Sequence, residues 1–376
     1  MIDSTQFPVL EQRIWLNHAA ISPWPATVIS AMRAFVEDNA AYGPLHYSAW
    51  LETEQRLRQS ACRLLGANAD DLALVKNTSD GLCLIAAGLD WRPGDAVVCS
   101  EGEFPSNLMP WQQLPPEFVE RRMVPFDPHD PEGALIAALD SKARVVAVSS
   151  VRYDSGIRLD LQRLGAACRA NGTLLVIDAI QHLGAMALDV SELQADFIVG
   201  GSHKWLLAPE GLALFWSRPE ARDRLKPIQT GWRMWPDMFN FERRNWRPPS
   251  NARRFEPGTL NTAGIIGLEA ALELLLRDDA VERERRLLER TGRLLDGLST
   301  LPKVHVHTPL DDARRAGIVC FRVDGVAPQA IQKALIEAGI YSAIRGPSLR
   351  LSPHFYTPHE QLDRALEVLA DALQTL

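Results

Sequence analysis

The chain has 376 residues, 46% hydrophobic and 23% charged, enough for a globular protein with a sizeable buried core. A formal net charge of −7 and short, mixed basic clusters exclude the basic surplus of a nucleic-acid binder. No apolar run approaches about eighteen residues and the N-terminus has no basic or apolar leader region, so no membrane span and no secretory signal are expected. Cys62, Cys83, Cys99, Cys168 and Cys320 show no CxxC or metal-type spacing, and their odd number does not suit a disulfide framework. A reduced, cytoplasmic setting and no bound metal follow as expectations.

Between about residues 70 and 217, short apolar runs alternate with helical patterns. DLALVK (71–76) precedes SDGLCLIAAGL, and DAVVCS (95–100) precedes FPSNLMPWQQL. ARVVAVSS (143–150) precedes LDLQRLGAACRANG, TLLVIDAI (173–180) follows, and DFIVGG and GLALFW (211–216) supply two further runs. Continuous β-branched runs between amphipathic helices predict buried strands in a mostly parallel sheet.

The pattern changes after residue 217. The aromatic, proline-punctuated stretch 229–251 predicts a long loop, of the kind that serves as a lid or an interface. Trp232, Trp235 and Trp246 on it are candidates for a pocket wall or for interface packing, and Arg233 is a candidate substrate contact. A helical stretch follows from TAGIIGLEAAL, and its VERERRLLER portion suits a solvated face with ion pairs. The tail then reads strand (317–324), helix, strand (349–355), helix. The expected organisation is a large α/β domain over 16–260 and a smaller α+β domain over 261–376 joined by 1–15.

Ligands of open α/β sheets bind outside the carboxyl ends of the strands. TLLVID delivers Asp178 to such an end, with Gln181 three residues on, and DFIVGGSHK delivers His203 and Lys204. NTSDG (77–81) opens a helix, whose N-terminal N–H groups and hydroxyls suit an anion. A lysine amine, a carboxylate and a phosphate cradle on one edge fit pyridoxal 5′-phosphate (PLP), which needs a Schiff-base amine, an acidic partner for its pyridinium nitrogen and a phosphate anchor.

These segments, with EFPSNLMPW (103–111), RFEPGTLNTAGIIGLEAAL (254–272) and LRLSPHFYT (349–357), resemble the class V aminotransferase family. This is PLP fold type I, in the branch of cysteine desulfurases, isopenicillin N epimerase-like proteins and kynureninases. The resemblance runs from about residue 16 to the C-terminus. It implies that Lys204 carries the Schiff base, Asp178 pairs with the ring nitrogen and Gln181 with the phenolic oxygen. Thr78, Ser79 and His203 match phosphate-binding positions, and Thr259 matches a contact to the cofactor phosphate of a second subunit, implying a homodimer with shared active sites. Arg350 matches the arginine that clamps a substrate α-carboxylate. Phe104 falls where many desulfurases stack a histidine on the ring, and Gly201 where relatives often place a phosphate-binding serine. His18 and Arg345 are further candidate substrate contacts.

Persulfide-forming desulfurases carry a nucleophilic cysteine shortly before the substrate arginine, whereas YSAIRGPSLR (341–350) has none. The expectation is an amino-acid-converting enzyme of aminotransferase type. A β-eliminating C–S lyase or an epimerase is the alternative, and a PLP-binding regulator without turnover is the non-enzymatic rival.

Overall fold

The computed structural model describes residues 2–235, 237–242 and 247–375. Its centre is a seven-stranded sheet. The strands are β1 (Leu72–Val75), β2 (Asp95–Ser100), β3 (Val119–Val124), β4 (Ala143–Ser149), β5 (Leu174–Asp178), β6 (Phe197–Gly201) and β7 (Ala213–Ser217). Their spatial order is β1-β7-β6-β5-β4-β2-β3. Strands β3, β2, β4, β5 and β6 run parallel, and β7 is antiparallel to both β6 and β1. Two reversals leave β1 pointing the same way as β6, so its carboxyl end opens on the same edge. The mostly parallel α/β fold expected from the sequence is present.

Every residue of β1, β5, β6 and β7 is buried, because helices cover both faces of the sheet. The edge strand β3 is VERRMV, whose exposed Glu120 and Arg121 blunt an edge that would otherwise template pairing. Helices α1 (Ala26–Tyr42) and α2 (Tyr47–Leu65) precede the sheet, and α3 (Thr78–Gly88) and α4 (Leu161–Asn171) lie between its strands. Helix α5 (Thr262–Leu275) is apolar nearly all round and packs against α1 and α2. Helix α6 (Ala280–Ser299) leads to a four-stranded antiparallel sheet of β8 (Val304–Val306), β9 (Val319–Val323), β10 (Ala343–Arg345) and β11 (Ser348–Leu351). Helices α7 (Pro328–Glu337) and α8 (His359–Thr375) complete this part, and Ile14–Trp15 pairs back onto Ile340–Tyr341.

A buried ion-pair network ties the segment before α5 to β1. Arg58 Nη2 donates to both carboxylate oxygens of Glu256, at 2.8 and 2.7 Å, and to Glu54 at 2.9 Å. Glu256 also accepts the Leu74 N–H at 2.7 Å, and Arg233 donates to Glu54 at 2.8 Å. Removing one partner of a buried pair leaves a charge without compensation. Glu256→Ala is therefore expected to lower the unfolding free energy by about 3–5 kcal/mol in a denaturant titration. The double change Arg58→Met, Glu256→Leu should recover part of that loss, since Glu54 keeps Arg233 while the Leu74 N–H still lacks its acceptor.

Candidate active site

The carboxyl ends of β1, β2, β4, β5 and β6 meet the β10–β11 hairpin at a cleft of roughly 370 Å³. Thr78, Ser79, Phe104, Gln181, His203, Lys204 and Arg350 all line it, together with Tyr153, Glu210 and Arg345. Asp178 ends β5 and is buried. Residues from six separate stretches of chain are thus brought together by the central sheet and the hairpin.

Lys204 follows β6 in a turn closed by the Leu207 N–H to the Lys204 carbonyl at 3.1 Å. Leu207 takes a left-handed φ of 59°, costly for leucine, and its side chain is fully buried. The Lys204 amine is pushed down to about 8, first by burial, then by the positive charges of Arg350 and Arg345, against the pull of Asp178. Burial pushes the Asp178 carboxyl up, while the Ile180 N–H at 3.0 Å and Lys204 favour its charged form. The two groups hold each other ionised in a site that disfavours both.

A depressed amine is unprotonated, and so reactive, at lower pH than an ordinary lysine. In cofactor-free protein, modification of Lys204 by trinitrobenzenesulfonate should reach half its maximal rate near pH 8. Arg350→Gln should move that midpoint up, and Asp178→Asn should move it down. A midpoint in the ordinary lysine range, read by peptide mass spectrometry, would contradict this electrostatic account.

Gln181 is fixed by its neighbours. The Trp205 indole, a donor only, gives its N–H to Gln181 Oε1 at 2.8 Å, and Gln181 Nε2 donates to the Ala19 carbonyl at 3.0 Å. One amide hydrogen is left over on the side chain. Trp205 is held in turn by close backbone approach: a Cβ on Gly184, at φ 91°, would lie 2.3 Å from the Trp205 carbonyl oxygen. No sequence signal pointed to Trp205 as the clamp of Gln181.

Arg350 sits on β11 opposite Cys320 and Ala343. Its Nη1 donates to the Tyr153 carbonyl at 2.9 Å, whereas Nε and Nη2 are buried without a partner among the described residues. Those two nitrogens share one edge of the guanidinium plane, the geometry that takes a carboxylate with two parallel bonds. At the other end of the cleft, α3 begins at Thr78 behind the cap Asn77, whose side chain accepts the Asp80 N–H at 2.8 Å. Thr78 Oγ1 accepts the Gly201 N–H at 3.1 Å, and the Ser79 and Ser106 hydroxyls bond at 2.8 Å. A Cβ on Gly201 would lie 3.2 Å from both the His203 ring and the Ile180 side chain, so a serine there would need these side chains to shift by a few tenths of an ångström.

Thr259 does not share this cleft; it is exposed and lines a separate one with Lys76, Asp80 and Gly211. Phe104 is half-exposed at the mouth, edge-on to Tyr153 at 5.2 Å, with the Lys204 amine 5.6 Å from its ring centre. Arg233 is buried against Glu54 and lies outside the cleft. His18 is buried with both ring nitrogens engaged, at 2.8 Å with the Ser352 carbonyl and 2.7 Å with the Tyr356 hydroxyl. Neither residue is free to meet a substrate here. Trp232 packs near Phe239 and Phe241, and Trp246 falls outside the described residues.

A buried carboxylate of raised pKa, a depressed lysine, a polar helix start and an unfilled arginine edge are the donor set that PLP and an amino acid need, so the residues fit the group. Fold and cleft define a fold type I PLP enzyme. The family model "Aminotransferase class-V" matches residues 14–348, and the chain belongs to that family.

The chain is 28% identical to a probable cysteine desulfurase of Methanothermobacter thermautotrophicus, over 97% of this chain and 96% of that one. Among solved structures it is similar to a mutant of C-DES with glycine covalently linked to the PLP cofactor, at TM-score 0.92 and 26% identity, covering 99% of this chain and all of the other. It is also similar to the cystine C–S lyase C-DES in complex with its product cysteine persulfide, at TM-score 0.90 and 26% identity, covering 97% and 99%. The protein is a PLP-dependent class V enzyme. No helix among the described residues is long and apolar enough to cross a membrane.

Proposed function

We propose that the protein is a PLP-dependent lyase that breaks the Cβ–S bond of a sulfur-substituted alanine without loading sulfur on a thiol of its own. The observation that carries this reading is that the cleft holding Lys204 and Arg350 contains no cysteine. Cys320 lies across from Arg350, but on a buried strand, and burial pushes its thiol up to about 12, so it is no nucleophile. The β10–β11 turn is only Gly346 and Pro347, leaving no loop to carry a mobile thiol. Likeness to a cystine C–S lyase over nearly the whole chain supports elimination over the broader aminotransferase expectation.

When bound, PLP supplies an electrophilic carbon for an amine and a sink for the electrons of the substrate's Cα–H bond. Thr78, Ser79, His203 and the start of α3 would hold its phosphate. Asp178 would keep a proton on its ring nitrogen, and the remaining Gln181 N–H would meet its phenolic oxygen. Phe104 would stack on the ring but cannot carry a proton. Thr259 would reach the cofactor phosphate of a second copy in a homodimer.

Arg350 orients the substrate by its α-carboxylate, through Nε and Nη2. Lys204, as a free amine, takes the proton from the α-carbon. In net terms a Cα–Cβ double bond forms, the Cβ–S bond breaks and its electron pair leaves on sulfur. Water then converts the released 2-aminoacrylate to pyruvate and ammonia, and the sulfur fragment takes a proton.

Holoenzyme mixed with cystine, cysteine and a panel of amino acids tests this. Continuous release of pyruvate, matched by a sulfur fragment and with the cofactor spectrum unchanged at the end, is expected. Stoichiometric conversion to pyridoxamine phosphate with one keto acid would reject the lyase reading in favour of transamination. A spectrum that no amine perturbs would reject both and leave the regulatory rival.

A further inference from the structure

The lyase reading leaves a second arginine in the cleft without a task. Arg345 lines the cleft, is half-buried, and gives Nη1 to the Ile344 carbonyl at 2.7 Å. No carboxylate pairs with it among the described residues.

Its placement relative to Arg350 is set by the hairpin register. Ala343 and Arg350 are cross-strand partners, and Arg345 lies two residues beyond Ala343 on the same strand. Side chains two apart share a face, so Arg345 and Arg350 project from the same side of the sheet as diagonal neighbours, roughly 7–8 Å apart at the backbone. Arg350 is 1% exposed, and Arg345 stands nearer the hairpin tip. The cleft therefore has an inner and an outer guanidinium.

With a monocarboxylic substrate in place Arg350 would be matched by the α-carboxylate, while Arg345, which has no ion-pair partner among the described residues, would meet no carboxylate of the substrate. A disulfide of two amino acids places its α-carbons about 5.5–6 Å apart, with one carboxylate on each, which suits the separation of the two arginines. Resting on the lyase reading, we infer that Arg345 receives a second carboxylate, and that the substrate is a β-thio-substituted alanine with a carboxylate on its far side. Cystine is the simplest member of that class. Glu210, on the same cleft wall, supplies a carboxylate to face the distal ammonium.

Two measurements on the holoenzyme test this. The first compares kcat/KM for cystine with that for the mixed disulfide of cysteine and cysteamine, which lacks only the distal carboxylate. Wild type should favour cystine by about ten- to a hundredfold, the worth of a charged hydrogen-bonded pair. Arg345→Gln should collapse that ratio toward one, and Arg345→Lys should retain part of it. An equal rate on both disulfides in wild type, or an unchanged ratio in Arg345→Gln, would overturn the inference. An equal ratio with both rates depressed would assign Arg345 to the α-carboxylate instead.

The second measurement is calorimetric binding of 2,7-diaminooctanedioate, in which two methylenes replace the sulfurs so that no Cβ–S bond exists, against 2,7-diaminoheptanoate. Tighter binding of the dicarboxylate, lost in Arg345→Gln, is expected whether or not the protein proves to be a lyase. If no substrate yields pyruvate yet this preference is present, the lyase reading fails and the role of Arg345 stands. Equal affinities would sink the role of Arg345 alone.

Discussion

Replacing Lys204 with alanine is expected to lower kcat by at least about 10³-fold, the effect of removing the general base that the lyase reading assigns to it. Among the described residues of the cleft, His203 and Glu210 are the other groups that could accept a proton near neutral pH. Burial lowers the pKa of His203, which favours its unprotonated form, but the proposal places it at the phosphate end, and Glu210 is exposed on the wall. The amine is suited to the work because burial and two nearby guanidinium groups keep it from holding its proton as an ordinary lysine does. Exchange of the substrate α-proton in heavy water should vanish in step with turnover. Added methylamine should restore part of both, since it returns an amine of the right chemistry to the space left behind. A loss of less than about tenfold, or an exchange rate that survives, would remove Lys204 from the proton-transfer step.

The variant has a second consequence that sequence alone would not suggest. Lys204 favours the charged form of Asp178, so its removal should push that carboxyl, already raised by burial, higher still. In the cofactor-free protein the Asp178 carboxyl of Lys204→Ala should therefore titrate at higher pH than in wild type, read from its carboxyl-carbon chemical shift. Lys204 and Asp178 are one electrostatic unit.

Much of this unit was legible in the sequence because burial on both faces writes itself as continuous apolar runs. LALV, ARVVAVS, LLVID and FIVGG became β1, β4, β5 and β6, and polar residues just beyond those runs became the cleft. Where a strand lies at an edge the signal fades: VERRMV reads as a solvated segment, and β3 was not expected. FPSNLMPWQQL resembles a helix in its apolar spacing, yet Pro105 and Pro110 leave only a short 3-10 turn and a four-residue helix, Met109–Gln112.

Long-range pairing was the other blind spot. Arg233 looked like a substrate contact because its partner Glu54 lies 179 residues earlier, and only the folded chain brings them together. Trp205 was visible beside Lys204, but its bond to Gln181 and its tight seat against Gly184 depend on backbone approach that no spacing encodes. In the sequence nothing ties Arg345 to Arg350; the hairpin register gives it a place beside that arginine.

Arg350→Met is expected to lower activity without lowering stability. Loss of the fork would remove the two charge-assisted bonds that the lyase reading gives the α-carboxylate, so kcat/KM should fall by about 10²- to 10³-fold, borne mainly by KM. Arg350→Lys should recover little, since an ammonium restores the charge but not the planar pair of donors.

In the cofactor-free protein the same arginine is a liability. Burial first, and then the charge of Arg345, push its pKa down to about 10, and Nε and Nη2 have no partner. A cation whose native pKa lies below its unfolded value makes the native state less stable at every pH below that native value. The cost is lifted only as pH rises through about 10 toward the ordinary arginine range, so at neutral pH all of it is present. Unfolding of cofactor-free Arg350→Met at pH 7 should therefore be unchanged or harder by up to about 2 kcal/mol. A destabilised variant would mean that Arg350 serves the fold through the Tyr153 carbonyl, and its loss of activity could then no longer be credited to the carboxylate alone. A stable and inactive one would show a site whose geometry is kept for its ligand at the expense of the empty protein.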